Sequence, residues 1–522
     1  MKSKAKRAMA LALAAVVTIA ASGCGKKVAK EIELGTGEMP KELTVFAPIS
    51  ALATKAGATD KNDILAFQLA EEATGCHINW INPSEVAFEE QFKLLLASGN
   101  YPDIIHYFWD TVPGGMQQYV DDGVIIPITD LLEFMPNFKK FGEENPEIKK
   151  QYSVGGEIFH VPVLRGDNEL RVFLGPEIRQ DWLDKLGLEM PTTTDELYDV
   201  LKAFKTQDPN GNGKNDEIPF TGMLGDSITF GVANLVWAFD THYDFYVKDG
   251  KITHGMLEDN MKDALRYLNK LYEEELLDVD YLINDQEKYD NKIMNDRAGF
   301  FFGIQPSKYY NNMNDGTKLV KAVPYIGGKC FNPIYLSNLC SQGAAITTAC
   351  KNPSGAAAWL DFFFSEKGVE ISNFGREGFT YNVENGKRVL DNEYIFNNPD
   401  GIERKDICAK SFISATTDFP TIQTWEYYSQ TLEKWGRDAI VDWYNSADTT
   451  GALPPITFTN EEKDVMGKIS SDITTYVSEV INNMIIGRTD ISEFDNVKKK
   501  LREMGMDELI KIYNDAYERY NK

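Results

Sequence analysis

The segment Asp208-Pro209-Asn210-Gly211-Asn212-Gly213-Lys214-Asn215-Asp216-Glu217 carries the densest cation chemistry in the chain. Oxygen-bearing side chains fall at loop positions 1, 3 and 5, a glycine at 6 and a carboxylate at 9, the spacing of an EF-hand calcium loop. Ca²⁺ takes about six to eight oxygens, and alternate residues of a tight loop turn theirs inward. The predicted ligands are Asp208, Asn210, Asn212, the Lys214 carbonyl, Asp216 and Glu217. Pro219 stands where the usual bidentate Glu would close the shell, so Glu217 has to take that role. An ordinary Asx-rich surface turn uses the same residue types and is the competing reading. One lone loop of this kind reads as structural, not catalytic.

A second set of residues suits a carbohydrate. Sugar rings offer apolar faces bordered by hydroxyls, so their sites pair flat aromatics with polar side chains at the edge. Trp109 and Asp110 follow a predicted strand, at the carboxyl end where open α/β sheets bind ligands. Trp237, Phe239 and Asp240 form an aromatic stretch, and Arg165 with Asp167, Tyr381 with Asn382, and Trp425 with Tyr427 and Tyr428 complete the candidates. For each aromatic, core packing competes with a platform role.

Signatures of catalysis are sparse. The five histidines (His77, His106, His160, His242, His254) make no HExxH or paired zinc spacing. The sequence has no GxSxG elbow and no GxxxxGK[ST] phosphate loop. A pair of carboxylates far apart in sequence leaves a surface-anchored glycoside hydrolase or polysaccharide lyase as the alternative class. A binder of peptides or another non-sugar solute is a third. The expectation is a binding protein, not an enzyme.

These residues need a scaffold. Strand-like Leu43–Ala47, Ile78–Ile81 and Asp103–Tyr107 alternate with helical stretches at about Asn62–Ala73 and Ser84–Leu96. That order predicts a largely parallel sheet covered by helices. Thr193 and Glu196 form a capping box ahead of an apolar stripe of Leu197, Val200, Leu201 and Phe204. The last stretch is helical, with Asp507 as the expected cap of the final helix. At 522 residues and 43 % hydrophobic, the chain exceeds one core and predicts two lobes.

The N-terminus reads as a secretion signal: Lys2, Lys4, Lys6 and Arg7, then an uncharged run from Ala8 to Ala20, then Ala21-Ser22-Gly23-Cys24. The end resembles a bacterial lipobox, with Ala21 where Leu is usual, and implies lipidation of Cys24. Residues 1–23 are then the signal peptide and 24–40 a tether, which predicts a lipid-anchored protein on the outer face of a Gram-positive-like membrane. A net charge of −25 repels phosphate backbones and argues against nucleic acid. Apart from Cys24, five cysteines without CxxC spacing suggest buried free thiols.

Ile178 to Leu188, running on through Pro191-Thr192-Thr193 to Lys205, resembles the family 1 extracellular solute-binding proteins of ABC importers, particularly the long lipoprotein branch with the alginate-binding proteins. Tyr101–Ile105, Ala344–Phe362 and the Gly378–Gly386 hairpin are similar to further family segments. The resemblance implies a type II periplasmic-binding-protein-like α/β fold, with hinge-connected lobes and a ligand cleft between them. It implies a first lobe of 41–162 plus 345–411 and a second of 163–344 plus 412–522. It also implies a monomer that captures an oligosaccharide and hands it to separate permease subunits.

Overall fold

In a computed structural model, residues 16–17, 32–224, 229–304, 309 and 318–521 are described. Cys24 and the lipobox lie outside the described residues. The chain forms two compact units, one running through Asp167 and resuming over Asn338–Thr431, the other comprising Asn168–Ser337 and Leu432–Lys522.

The principal strands are, in chain order, β1 (Glu42–Phe46), β2 (His77–Ile81), β3 (Ile104–Tyr107), β4 (Ile125–Ile126), β5 (Val161–Arg165), β6 (Leu174–Arg179), β7 (Ile218–Phe220), β8 (Ala298–Ile304), β9 (Val320–Ala322), β10 (Leu339–Thr347) and β11 (Ile422–Gln423). The helices used below are α1 (Leu65–Thr74), α2 (Thr194–Thr206) and α3 (Trp425–Thr431).

The first unit is built on the sheet β11-β5-β10-β3-β1-β2, with β4 also pairing β10. β1 runs parallel to β2 and β3, as crossover helices require. β10 runs antiparallel to β3 and β5, and β11 parallel to β5. α1 lays Ala66, Phe67, Leu69 and Ala70 on the sheet and stops at Gly75, whose φ of 69° suits a residue without Cβ. Asp60 caps the turn ahead of it, accepting from the Asn62 N–H. The second unit holds the sheet β9-β6-β8-β7, with Trp182 set edge-on to Phe204 of α2 at 5.1 Å. The Thr193–Glu196 capping box forms as expected at the start of α2. Asp507 sits in the first turn of the final helix, Met506–Asn521, and is not its cap.

Three boundaries between the units differ from those expected. Residues 163–167 and 338–344 belong to the first unit because β5 and β10 are strands of its sheet. Residues 412–431 also belong there, because β11 pairs with β5 through Ile422↔Leu164 and Gln423↔Arg165. Residues 34–37, expected within a tether, are packed on the fold: Leu34 is buried in the first unit's core, and the Gly37 N–H donates to Ser354 Oγ at 2.8 Å. Among the described residues no helix is long and apolar enough to cross a membrane.

Candidate functional site

Four of the expected ligand residues meet in the first unit. β5 ends at Arg165, whose Nη1 donates to the Leu339 carbonyl at 3.1 Å. The Gly166 N–H donates to the Gln423 carbonyl at 2.8 Å, fixing the chain beside β11. Asp167 Oδ2 then accepts from the Trp425 N–H at 2.6 Å, at the first residue of α3. Trp425 and Tyr428 lie one turn apart on that helix, with ring centroids 6.3 Å apart. Arg165, Asp167, Trp425 and Tyr428 all remain partly exposed. The group therefore sets a carboxylate at the start of a helix that carries two partly exposed aromatic rings, with a cation at the end of the adjoining strand.

Other expected residues are taken up by packing. Trp109 is 1 % exposed, set edge-on to Phe92 and Tyr119, with Nε1 donating to the Ile105 carbonyl at 3.1 Å. Its ring faces belong to the core and are no platform. Asp110 beside it is exposed, with Oδ1 3.8 Å from Nε2 of the buried His160. Tyr427 is buried edge-on against Phe374 and Phe412. Tyr381 is buried too, its hydroxyl donating to Glu370 Oε1 at 2.7 Å, while Asn382 on the same hairpin is exposed.

In the second unit Trp237 is 2 % exposed among His242, Phe302 and Tyr325. The turn Val232–Phe239 is almost wholly apolar and inserts into that unit's core, which overrides its reading as a binding stretch. Phe239 is half-buried against Tyr267, and Asp240 is exposed at φ 54° where the turn ends.

The acidic loop after α2 is pre-shaped. Asp208 Oδ1 and Oδ2 accept from the N–H groups of Asn212 and Gly213, each at 3.1 Å. Asn210 Oδ1 accepts from the Asn212 N–H at 3.0 Å, and Asn212 Oδ1 from the Lys214 N–H at 2.7 Å. Gly213 takes a φ of 74°. Asn212 Nδ2 donates to Asp216 Oδ1 at 2.9 Å, so the amide presents its nitrogen to the carboxylate. Glu217 Oε1 is buried without a hydrogen-bond partner. Burial, then the nearby charges of Asp208 and Asp216, hold the Glu217 carboxyl above its ordinary value. Among the described residues no group of three or more His, Cys, Asp or Glu is drawn into a metal cluster. The residues nonetheless fit a cation: an orphaned buried oxygen sits beside two carboxylates, and rotating two amides would present theirs.

One group of charged residues had no signal in the sequence. Lys61, wholly buried, lies 2.9 Å from Asp418 across the first unit's core. His106 sits beside both charges, its Nε2 2.8 Å from Gln342 Oε1. Burial lowers the His106 ring to about 4, so it is neutral at physiological pH.

This chain belongs to the bacterial extracellular solute-binding protein family, whose pattern matches residues 43–370. It is similar to the fructooligosaccharide ABC transporter substrate-binding protein FusA of Streptococcus pneumoniae, 28 % identical over 506 residues that cover 92 % of this chain and 90 % of FusA. It is similar also to the lipoprotein LipO of Bacillus subtilis, at 24 % identity with 98 % of each covered. The structure of FusA in complex with kestose superposes with a TM-score of 0.69 at 26 % identity, covering 92 % of this chain and 99 % of that one. A FusA EF-hand mutant in complex with fructo-nystose gives a TM-score of 0.68, at the same identity and coverage.

Proposed function

We propose that this protein captures an oligosaccharide outside the cell and delivers it to the permease subunits of an ABC importer, without chemical turnover. The observation that carries the reading is the group Arg165, Asp167, Trp425 and Tyr428, which joins aromatic rings to charged edge groups in a chain similar throughout to a kestose-binding relative. The protein acts as a monomer. The importer reads the sugar-bound form. Asp110 and Asn382, both exposed, are further edge groups for hydroxyls.

A signal over residues 1–23 exports the chain, and Cys24 carries the lipid that holds it at the outer face of the membrane. One acyl chain anchors only marginally, so the anchor needs more than one. Asp208, Asn210, Asn212, the Lys214 carbonyl, Asp216 and Glu217 hold a structural Ca²⁺, which would neutralise the loop's carboxylates and give Glu217 Oε1 a partner. The EF-hand of the FusA relative supports this reading.

Thermal-shift screening of the mature protein tests the proposal, with kestose, fructo-nystose and other oligosaccharides set against peptides. A ligand at 100 times its dissociation constant adds about 2.7 kcal/mol. A shift with a glycan and none with peptides supports it; a shift with peptides alone overturns it.

A further inference from the structure

The Lys61–Asp418 pair lies in a core where ion pairs gain little. Two charges removed from water recover their desolvation cost only with good geometry and further hydrogen bonds. Here the geometry is incomplete. Lys61 Nζ and Asp418 Oδ2 are 2.9 Å apart, yet neither makes a well-directed hydrogen bond. His106 Nδ1, Ser414 Oγ and Thr421 Oγ1 are also buried without partners. Buried polar atoms are satisfied in the large majority of cases, so these five, three of them within residues 414–421, mark a place prepared for something else.

The backbone beside this nest is strained. Thr417 adopts φ 50° and ψ 33°, a left-handed conformation costly for a β-branched residue. Thr417 stands next to Asp418 and is partly exposed, as are Arg165, Cys340 and Gln342. Cys340 adjoins both Thr417 and Arg165, and Gln342 bonds His106, so these residues rim the nest. Asp418 keeps 11 % of its side chain exposed against none for Lys61, which makes the carboxylate the member that a ligand can meet. Aromatic rings border the charges: Lys61 Nζ lies 5.3 Å from the ring centre of Phe67 and 5.9 Å from that of Trp80, and Phe419 is 5.5 Å from the His106 ring.

We propose that this nest is a subsite of the first unit for the hydroxyl groups of a sugar, with Thr417 and Asp418 meeting the ligand and Lys61 and His106 positioning the Asp418 carboxylate. A sugar hydroxyl donates one hydrogen bond and accepts others. The nest supplies both partners, the Asp418 carboxylate as acceptor and the partly exposed Thr417 hydroxyl as donor. The inference rests on the carbohydrate reading above. It adds a polar contact to the Asp167–Trp425 group, along the rim they share at Arg165.

Two variants of the full mature chain test it: Thr417→Gly, and the paired Lys61→Met with Asp418→Asn. Glycine tolerates the left-handed backbone, so T417G keeps or raises the melting temperature. The paired variant removes both charges together and avoids leaving one buried alone. Calorimetry with kestose should give dissociation constants at least tenfold weaker in both, with the melting transition of T417G intact. Wild-type affinity in a folded T417G, or in the paired variant, overturns the subsite and leaves a nest for ordered water. If the unaltered protein binds neither kestose nor any other oligosaccharide of the panel, the carbohydrate reading itself fails and the subsite falls with it.

Discussion

Asp167 Oδ2 accepts a 2.6 Å hydrogen bond from the backbone N–H of Trp425, joining the last residue of one chain crossing to the first turn of the helix that leads into another. The carboxylate does what an N-cap does for α3, from a residue remote in sequence. Asp167→Ala should therefore cost about 1 kcal/mol, read by urea or thermal unfolding, while Asp167→Asn keeps most of the contact. An alanine variant as stable as the parent would show that the contact contributes nothing.

The acidic loop predicts a calcium response. Saturating Ca²⁺ should raise the melting temperature by on the order of 5 °C, and a chelator should reverse the rise. Asp208→Ala removes the acceptor of two loop N–H groups and should abolish the calcium-dependent part of the shift. A variant with an undiminished calcium response would place the ion elsewhere.

Acid sensitivity follows from the buried histidines. Burial chiefly lowers His106 and His242 to about 4 and His254 to about 3. The unfolded chain takes up protons near the ordinary value of about 6.5, whereas the folded chain keeps these rings neutral. Between about pH 6.5 and 4 the unfolded state binds more protons, so stability is full above that window and declines as pH falls through it. The slope is up to about 1.4 kcal/mol per pH unit for each ring. Urea midpoints at pH 7.5 and 5 check this, and equal midpoints would contradict it.

The proposed export signal and lipid anchor can be separated at Cys24. Cys24→Ser should leave secretion intact and move the protein from the membrane fraction to the medium, followed by immunoblot of cell fractions. A serine variant still in the membrane fraction would show that Cys24 is not the anchor.

The scaffold was legible where local pattern and long-range packing agree. The Thr193 box caps α2, and the alternation around Leu43–Tyr107 became the parallel pairs of β1 with β2 and β3. Chain crossings were harder to read. β11 is two residues long, too short for a periodic signal, and it is long-range packing, its pairing with β5 and the burial of Phe419 in the first unit's core, that keeps 412–431 there. Aromatic residues misled for a chemical reason. A tryptophan that builds a core and one left open to a ligand have the same apolar ring, so the buried Trp109 and Trp237 could not be told from the partly exposed Trp425 by type. Lys61 and Asp418 are distant in sequence, and nothing in either local context announces the other.

The central claim is capture of an oligosaccharide without turnover. Calorimetric titration of the mature protein with kestose and longer oligosaccharides, followed by chromatography of the recovered sugar, tests it most directly. The account predicts saturable binding of at least one of them, about one sugar per chain, and its recovery unchanged. Absence of heat with every glycan, or release of shorter sugars, would contradict it.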